Sequence, residues 1–125
     1  MKLIKSLIVI TTLLILNTAN AQSITEKWSK LNDYQELISK IYHAAEVGNL
    51  EPIKNNSQLL VDHSEALTNE NMPLEFRNPK VKELLVLLKN ETKLTNDLVQ
   101  KKASDTEIKK ALTNLNTTFL KIVGL

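Results

Sequence analysis

Two stretches of the chain bring together side chains able to hold a metal ion or move a proton. His43-Ala44-Ala45-Glu46 sets an imidazole and a carboxylate one helical turn apart on the same side, a spacing that metal sites in helical bundles use. The plainer reading of His43 is a surface imidazole near a helix C-terminus, where a positive charge is favoured beside the last carbonyls. Asp62-His63-Ser64-Glu65 carries similar groups in a spacing that splays them around a helix, which predicts a solvated face. The chain has two histidines and no cysteine, so disulfides, thiolate metal sites and covalent c-type haem attachment are excluded. Neither a Gly-rich phosphate loop nor a nucleophile elbow is present, and no serine is marked out as a nucleophile. The sequence therefore predicts no enzyme.

Two amides stand where an apolar seam calls for a hydrophobe. Gln35 falls on the progression Trp28, Leu31, Ile38, Tyr42, and Asn116 lies beside Leu115 and Phe119. If their helices are antiparallel neighbours, counting from opposite ends brings residue 35 level with 116 to 120, and the two amides form a polar seam. The alternative is that Gln35 leans outward while Tyr34 packs.

The elements that must position these groups are helices. Gly48, Gly124, Pro52, Pro73 and Pro79 are the only Gly and Pro residues, and they fall where apolar periodicity breaks. A first helix is predicted from about Ile24 to Val47, with Gly48 as its left-handed stop. Asn49 then caps a second helix from Leu50 to about Leu67, with Pro52 in its first turn and Leu50, Ile53, Leu60 and Leu67 facing inward. Ser57 and Ser64 interrupt that stripe, which suggests close helix approach. Thr68 to Arg77 is the longest loop, with Met72, Leu74 and Phe76 available to pack on the bundle.

Asn78-Pro79 starts a third helix, with Val81, Leu84, Leu85, Leu88, Leu98 and Val99 on its apolar face and Lys101 and Lys102 near its end. Ser104-Asp105-Thr106-Glu107 is a capping box for a fourth helix, whose inner residues are Ile108, Leu112, Leu115, Phe119 and Ile122. Four helices joined by short turns specify an all-α fold, an antiparallel up-down four-helix bundle.

The N-terminus has a different character. Lys2 and Lys5 precede an apolar run from Leu7 to Leu16, broken only by Thr11 and Thr12, and Ala19-Asn20-Ala21 closes it with small residues. This is the pattern of a secretory signal peptide over residues 1–21, with a bundle domain over 22–125. The run is shorter than the ~20 residues that span a bilayer, so no stable membrane anchor is expected after cleavage. A periplasmic or secreted product follows.

Removing 21 residues from 125 leaves 104, enough for one domain with a modest core. The loss of Lys2 and Lys5 takes the sixteen basic residues to fourteen, against fourteen acidic ones. Charge is then balanced and interspersed, with no basic stripe to follow a phosphate backbone, so nucleic acid is not an expected partner.

Trp28, Leu31, Tyr34, Tyr42-His43, Gly48-Asn49-Leu50, Pro52-Ile53-Lys54, Leu115, Phe119 and Ile122-Val123-Gly124 together resemble small exported bacterial helical proteins, seen especially in Bacteroidetes. Members of that group are similar in layout to periplasmic four-helix cytochromes. The resemblance implies a metal-binding stock with His at the positions held here by Gln35, His43, Asn116 and Leu120. Only His43 remains. Amides are poor ligands for transition metals and leucine is none, and Leu120 stands near where an axial haem ligand is expected. The sequence thus points to a non-catalytic bundle without a cofactor, binding an unidentified protein or small ligand. The alternative is a transition-metal-binding or metal-buffering protein that uses His43 and Glu46.

Overall fold

A computed structural model describes residues 27–124. The predicted signal peptide and the predicted helix start at Ile24 lie outside the described residues. Within them the chain forms four helices, α1 (Ser29–Glu46), α2 (Glu51–Glu65), α3 (Pro79–Gln100) and α4 (Asp105–Val123), with a 3₁₀ turn at Leu74–Phe76. No strand occurs among the described residues. The fold is the four-helix bundle that the periodicity predicts. Packing is extensive between α1 and α2, α2 and α3, and α3 and α4, and thinner between α1 and α4.

Local chemistry sets the ends of each helix. Trp28 precedes α1 in an extended conformation (φ −121°, ψ 94°). It is held there because its indole N–H donates to Asn71 Oδ1 at 2.7 Å and its ring packs on Phe76 at 5.2 Å. At the other end, the Gly48 and Asn49 amides donate to the carbonyls of Ala45 (3.0 Å) and Ala44 (2.9 Å). Gly48 makes that double bond possible by adopting φ +86°. Asn49 Oδ1 accepts from the Glu51 amide at the entry to α2, and Asn78 Oδ1 accepts from the Val81 amide at the entry to α3.

The α3–α4 turn repeats the double bond without a glycine. Lys102 and Ala103 donate to the carbonyls of Val99 and Leu98, and Lys102 takes φ +56°. A side chain disfavours that region by roughly 1–2 kcal/mol. The capping box at Ser104 and Glu107 is formed in both directions.

The core runs the length of the bundle. Leu31, Ile38, Ile53, Leu60, Leu88, Leu112 and Leu115 are all fully buried. Three expectations need correction. Ile41, rather than Tyr42, completes the buried face of α1 alongside Tyr34, with Tyr42 half-buried at its edge. In the α2–α3 connector Met72 and Phe76 close the end of the core, but Leu74 is 80% exposed because the 3₁₀ turn rotates it outward. α2 ends at Glu65, short of Leu67, which is buried from the connector instead.

Candidate functional site

His43 and Glu46 occupy the last turn of α1, and both are exposed. Among the described residues no three His, Asp or Glu side chains converge on a common point. His63 is only half-buried, in a groove of about 330 Å³ between α1 and α2 that it shares with Asp33, Glu36, Leu37 and Lys40. The tetrapeptide around it is not a uniformly solvated face. Ser64 is fully buried, and its hydroxyl donates to the Val61 carbonyl at 2.7 Å.

Gln35 and Asn116 each lie close in sequence to a contact between α1 and α4. Tyr34 of α1 stacks on Phe119 of α4, with centroids 5.5 Å apart and planes 30° from parallel. That contact brings residues 34 and 119 to one level of the bundle.

Helical geometry settles which flanks face each other. On α1, Leu37 lines the groove shared with α2, so Gln35 and Tyr42, seven residues apart, lie on the opposite flank, toward α4. On α4, Thr118 donates to Glu91 of α3, so Asn116 and Leu120 lie on the flank toward α1. His43 does not join them. It is eight residues from Gln35, about 12 Å of helix rise, and it points to solvent. Gln35, His43, Asn116 and Leu120 therefore do not form one cluster.

No hydrogen bond joins Gln35 to Asn116. Gln35 Oε1 is buried and accepts no hydrogen bond from any protein group, the only such side-chain atom among the described residues. An acceptor left in this state costs roughly 1–3 kcal/mol relative to one that is bonded. It lies on the flank of α1 toward α4, an interface that packs more thinly than the other three between consecutive helices.

Behind the seam lies a polar layer that the apolar periodicity does not reveal. Tyr34 Oη and Thr92 Oγ1 are 3.0 Å apart in the core. The Thr92 hydroxyl also lies 2.7 Å from the Leu88 carbonyl, to which it donates. That hydroxyl has one proton, so the Tyr34 phenol is the donor between the pair. Burial pushes the Tyr34 phenol well above its ordinary range, and the nearby Glu91 carboxylate adds to the shift. Glu91 accepts from the Thr118 hydroxyl, and Thr95 donates to the Glu91 carbonyl. The α2–α3 interface has its own amide chain: Ser57 donates to Asn96 Oδ1 at 2.8 Å, and Asn96 Nδ2 to Gln58 Oε1 at 3.2 Å.

Compared with protein families, curated proteins and solved structures, the chain matches none. What the site can do therefore rests on its own geometry. A seam with an unbonded acceptor, a second amide, the edge of Tyr42 and the partly exposed Leu120 offers hydrogen bonding beside apolar contact. No described helix is long and apolar enough to cross a membrane.

Proposed function

We propose that the mature chain is a non-catalytic helical-bundle protein of the periplasm or extracellular space, and that it binds a small ligand or partner group at the α1–α4 seam. The observation that carries this reading is the buried, unpartnered Gln35 oxygen. Buried polar atoms are nearly always bonded, and one that is not favours any molecule able to bring a donor to it. Asn116 supplies a second amide on the facing flank. Tyr42 and Leu120 supply apolar surface for the body of such a molecule.

The exported location is supported by the leader-like pattern of residues 1–21. Titration of the mature protein, starting at Gln22, with copper, zinc, nickel and haemin tests the reading against metal or haem binding through His43 and Glu46. One tight stoichiometric site lost in His43→Ala overturns it. Native mass spectrometry of protein isolated from its host should instead show an organic molecule at one per chain, absent from Gln35→Leu.

A further inference from the structure

Between the α2–α3 connector and the first half of α3 runs a groove of about 380 Å³. That size falls within the roughly 300–1,000 Å³ of small-molecule sites. Leu67 and Leu85, 1% and 5% exposed, form its floor, and Val86, 61% exposed, forms its wall. Lys82 and Lys89 border the same strip, four residues before and three residues after Val86. Their backbones are separated by about 10 Å of helix rise.

Neither lysine is neutralised. The ion pairs among the described residues are Lys27–Glu75, Lys54–Asp105 and Lys93–Glu65. The opposite bank is made by Thr68 and Asn69, which bring no carboxylate.

Two unpaired ammonium groups over an apolar floor complement an anionic head joined to an apolar tail. We propose that this groove binds a free straight-chain aliphatic carboxylate. The head engages Lys82 or Lys89, and the chain lies along the exposed face of Val86, above the buried Leu85 and Leu67. The lysine heads stay solvated, so each contributes modestly to affinity, while the tail supplies apolar burial and the lysines select the sign of the head. The groove lies on the α2–α3 side of the bundle, away from the α1–α4 seam, and the proposal does not depend on ligand binding there.

Decanoate, added below its micelle concentration to ¹⁵N-labelled mature protein, tests this by amide chemical shifts. Saturable shifts are expected at Thr68, Asn69, Leu85 and Val86. The Thr68 amide and the Trp28 indole both donate to Asn71 Oδ1, so the fluorescence of the single tryptophan should change in parallel. Lys82→Gln and Lys89→Gln should each weaken binding about two- to fivefold at low salt. Val86→Asp, at an exposed position that leaves the fold intact, should weaken it more, and Lys110→Gln on α4 should leave it unchanged.

Equal binding of decyltrimethylammonium, shifts centred elsewhere, or lysine variants that bind like wild type would overturn the proposal. So would tighter binding to phosphatidylglycerol vesicles than to free decanoate, which would make the groove a membrane contact.

Discussion

The bond between Tyr34 and Thr92 has a direction, and the direction sets an order of stabilities that mutation can read. The Thr92 proton is committed to the Leu88 carbonyl, so the phenol donates and Thr92 Oγ1 accepts. Tyr34→Phe removes the donor and leaves Thr92 still bonded, which costs about 1 kcal/mol. Thr92→Val removes the acceptor and strands a phenolic O–H in the core, which costs roughly 1–3 kcal/mol. The Leu88 carbonyl is not orphaned by that change, because the helix backbone still supplies its amide partner.

With both groups apolar nothing is left unpaired. The double variant should therefore be less destabilised than Thr92→Val alone. Urea unfolding of the four proteins, followed by far-ultraviolet dichroism and by Trp28 fluorescence, gives the cycle, and coincident transitions justify treating it as two-state. A Tyr34→Phe loss exceeding the Thr92→Val loss would reverse the donor assignment. A double variant as unstable as the sum of the singles would show that the two groups are not coupled.

Four further outcomes follow from the same structure. The Tyr34 phenol is raised above its ordinary value of 10 by burial first, so its stabilising contribution is complete below about pH 10 and is lost as pH climbs from there through the folded-state value. Above pH 10 the wild type should lose up to ~1.4 kcal/mol per pH unit relative to Tyr34→Phe, measured by urea midpoints across that range. Gln35→Leu removes an unbonded buried acceptor and should raise stability by about 1 kcal/mol; a lower melting temperature would mean that the amide has a structural partner. Lys102→Gly relieves a left-handed side chain at the α3–α4 turn and should gain about 0.5–1 kcal/mol after the entropy of glycine is subtracted, a rise of a few degrees by calorimetry. Expressed with its own leader in a Gram-negative host, the chain should yield a product whose mass begins at Gln22, and a mass that retains residues 1–21 would refute the export reading.

The helix ends were legible in the sequence because each depends on a few adjacent residues. Gly48 ends α1 in the left-handed turn, Asn78 caps α3, and Ser104 with Glu107 closes the box on α4. The inner face of α4 was equally plain, since its buried leucines, phenylalanine and isoleucines recur at three- and four-residue steps with no competing stripe. α1 offered two registers that share Leu31, Ile38 and Ala45. One adds Gln35 and Tyr42, and the other adds Tyr34 and Ile41. Local periodicity fits both. The bundle takes the second because it buries an isoleucine and an aromatic ring whose hydroxyl finds Thr92, whereas the first would bury a whole carboxamide.

The same logic explains the site. Val81, Leu85, Leu88, Thr92, Thr95 and Val99 follow one another on α3 at four, three, four, three and four residues, an unbroken heptad seam. A reading that admits only hydrophobes stops at Leu88 and resumes at Leu98, so it passes over Thr92 and Thr95, both 1% exposed. Their β-branched bodies fill the seam, and each hydroxyl bonds back to a carbonyl on its own helix. Thr92 then has only its lone pairs to offer a neighbouring helix. Tyr34 is the residue that uses them, and this fixes the rotation of α1. With Tyr34 turned into the core, helical geometry carries Gln35 to the α1–α4 flank, where its oxygen is covered but not bonded. The unpartnered acceptor in the seam is thus a consequence of the register that the threonines select.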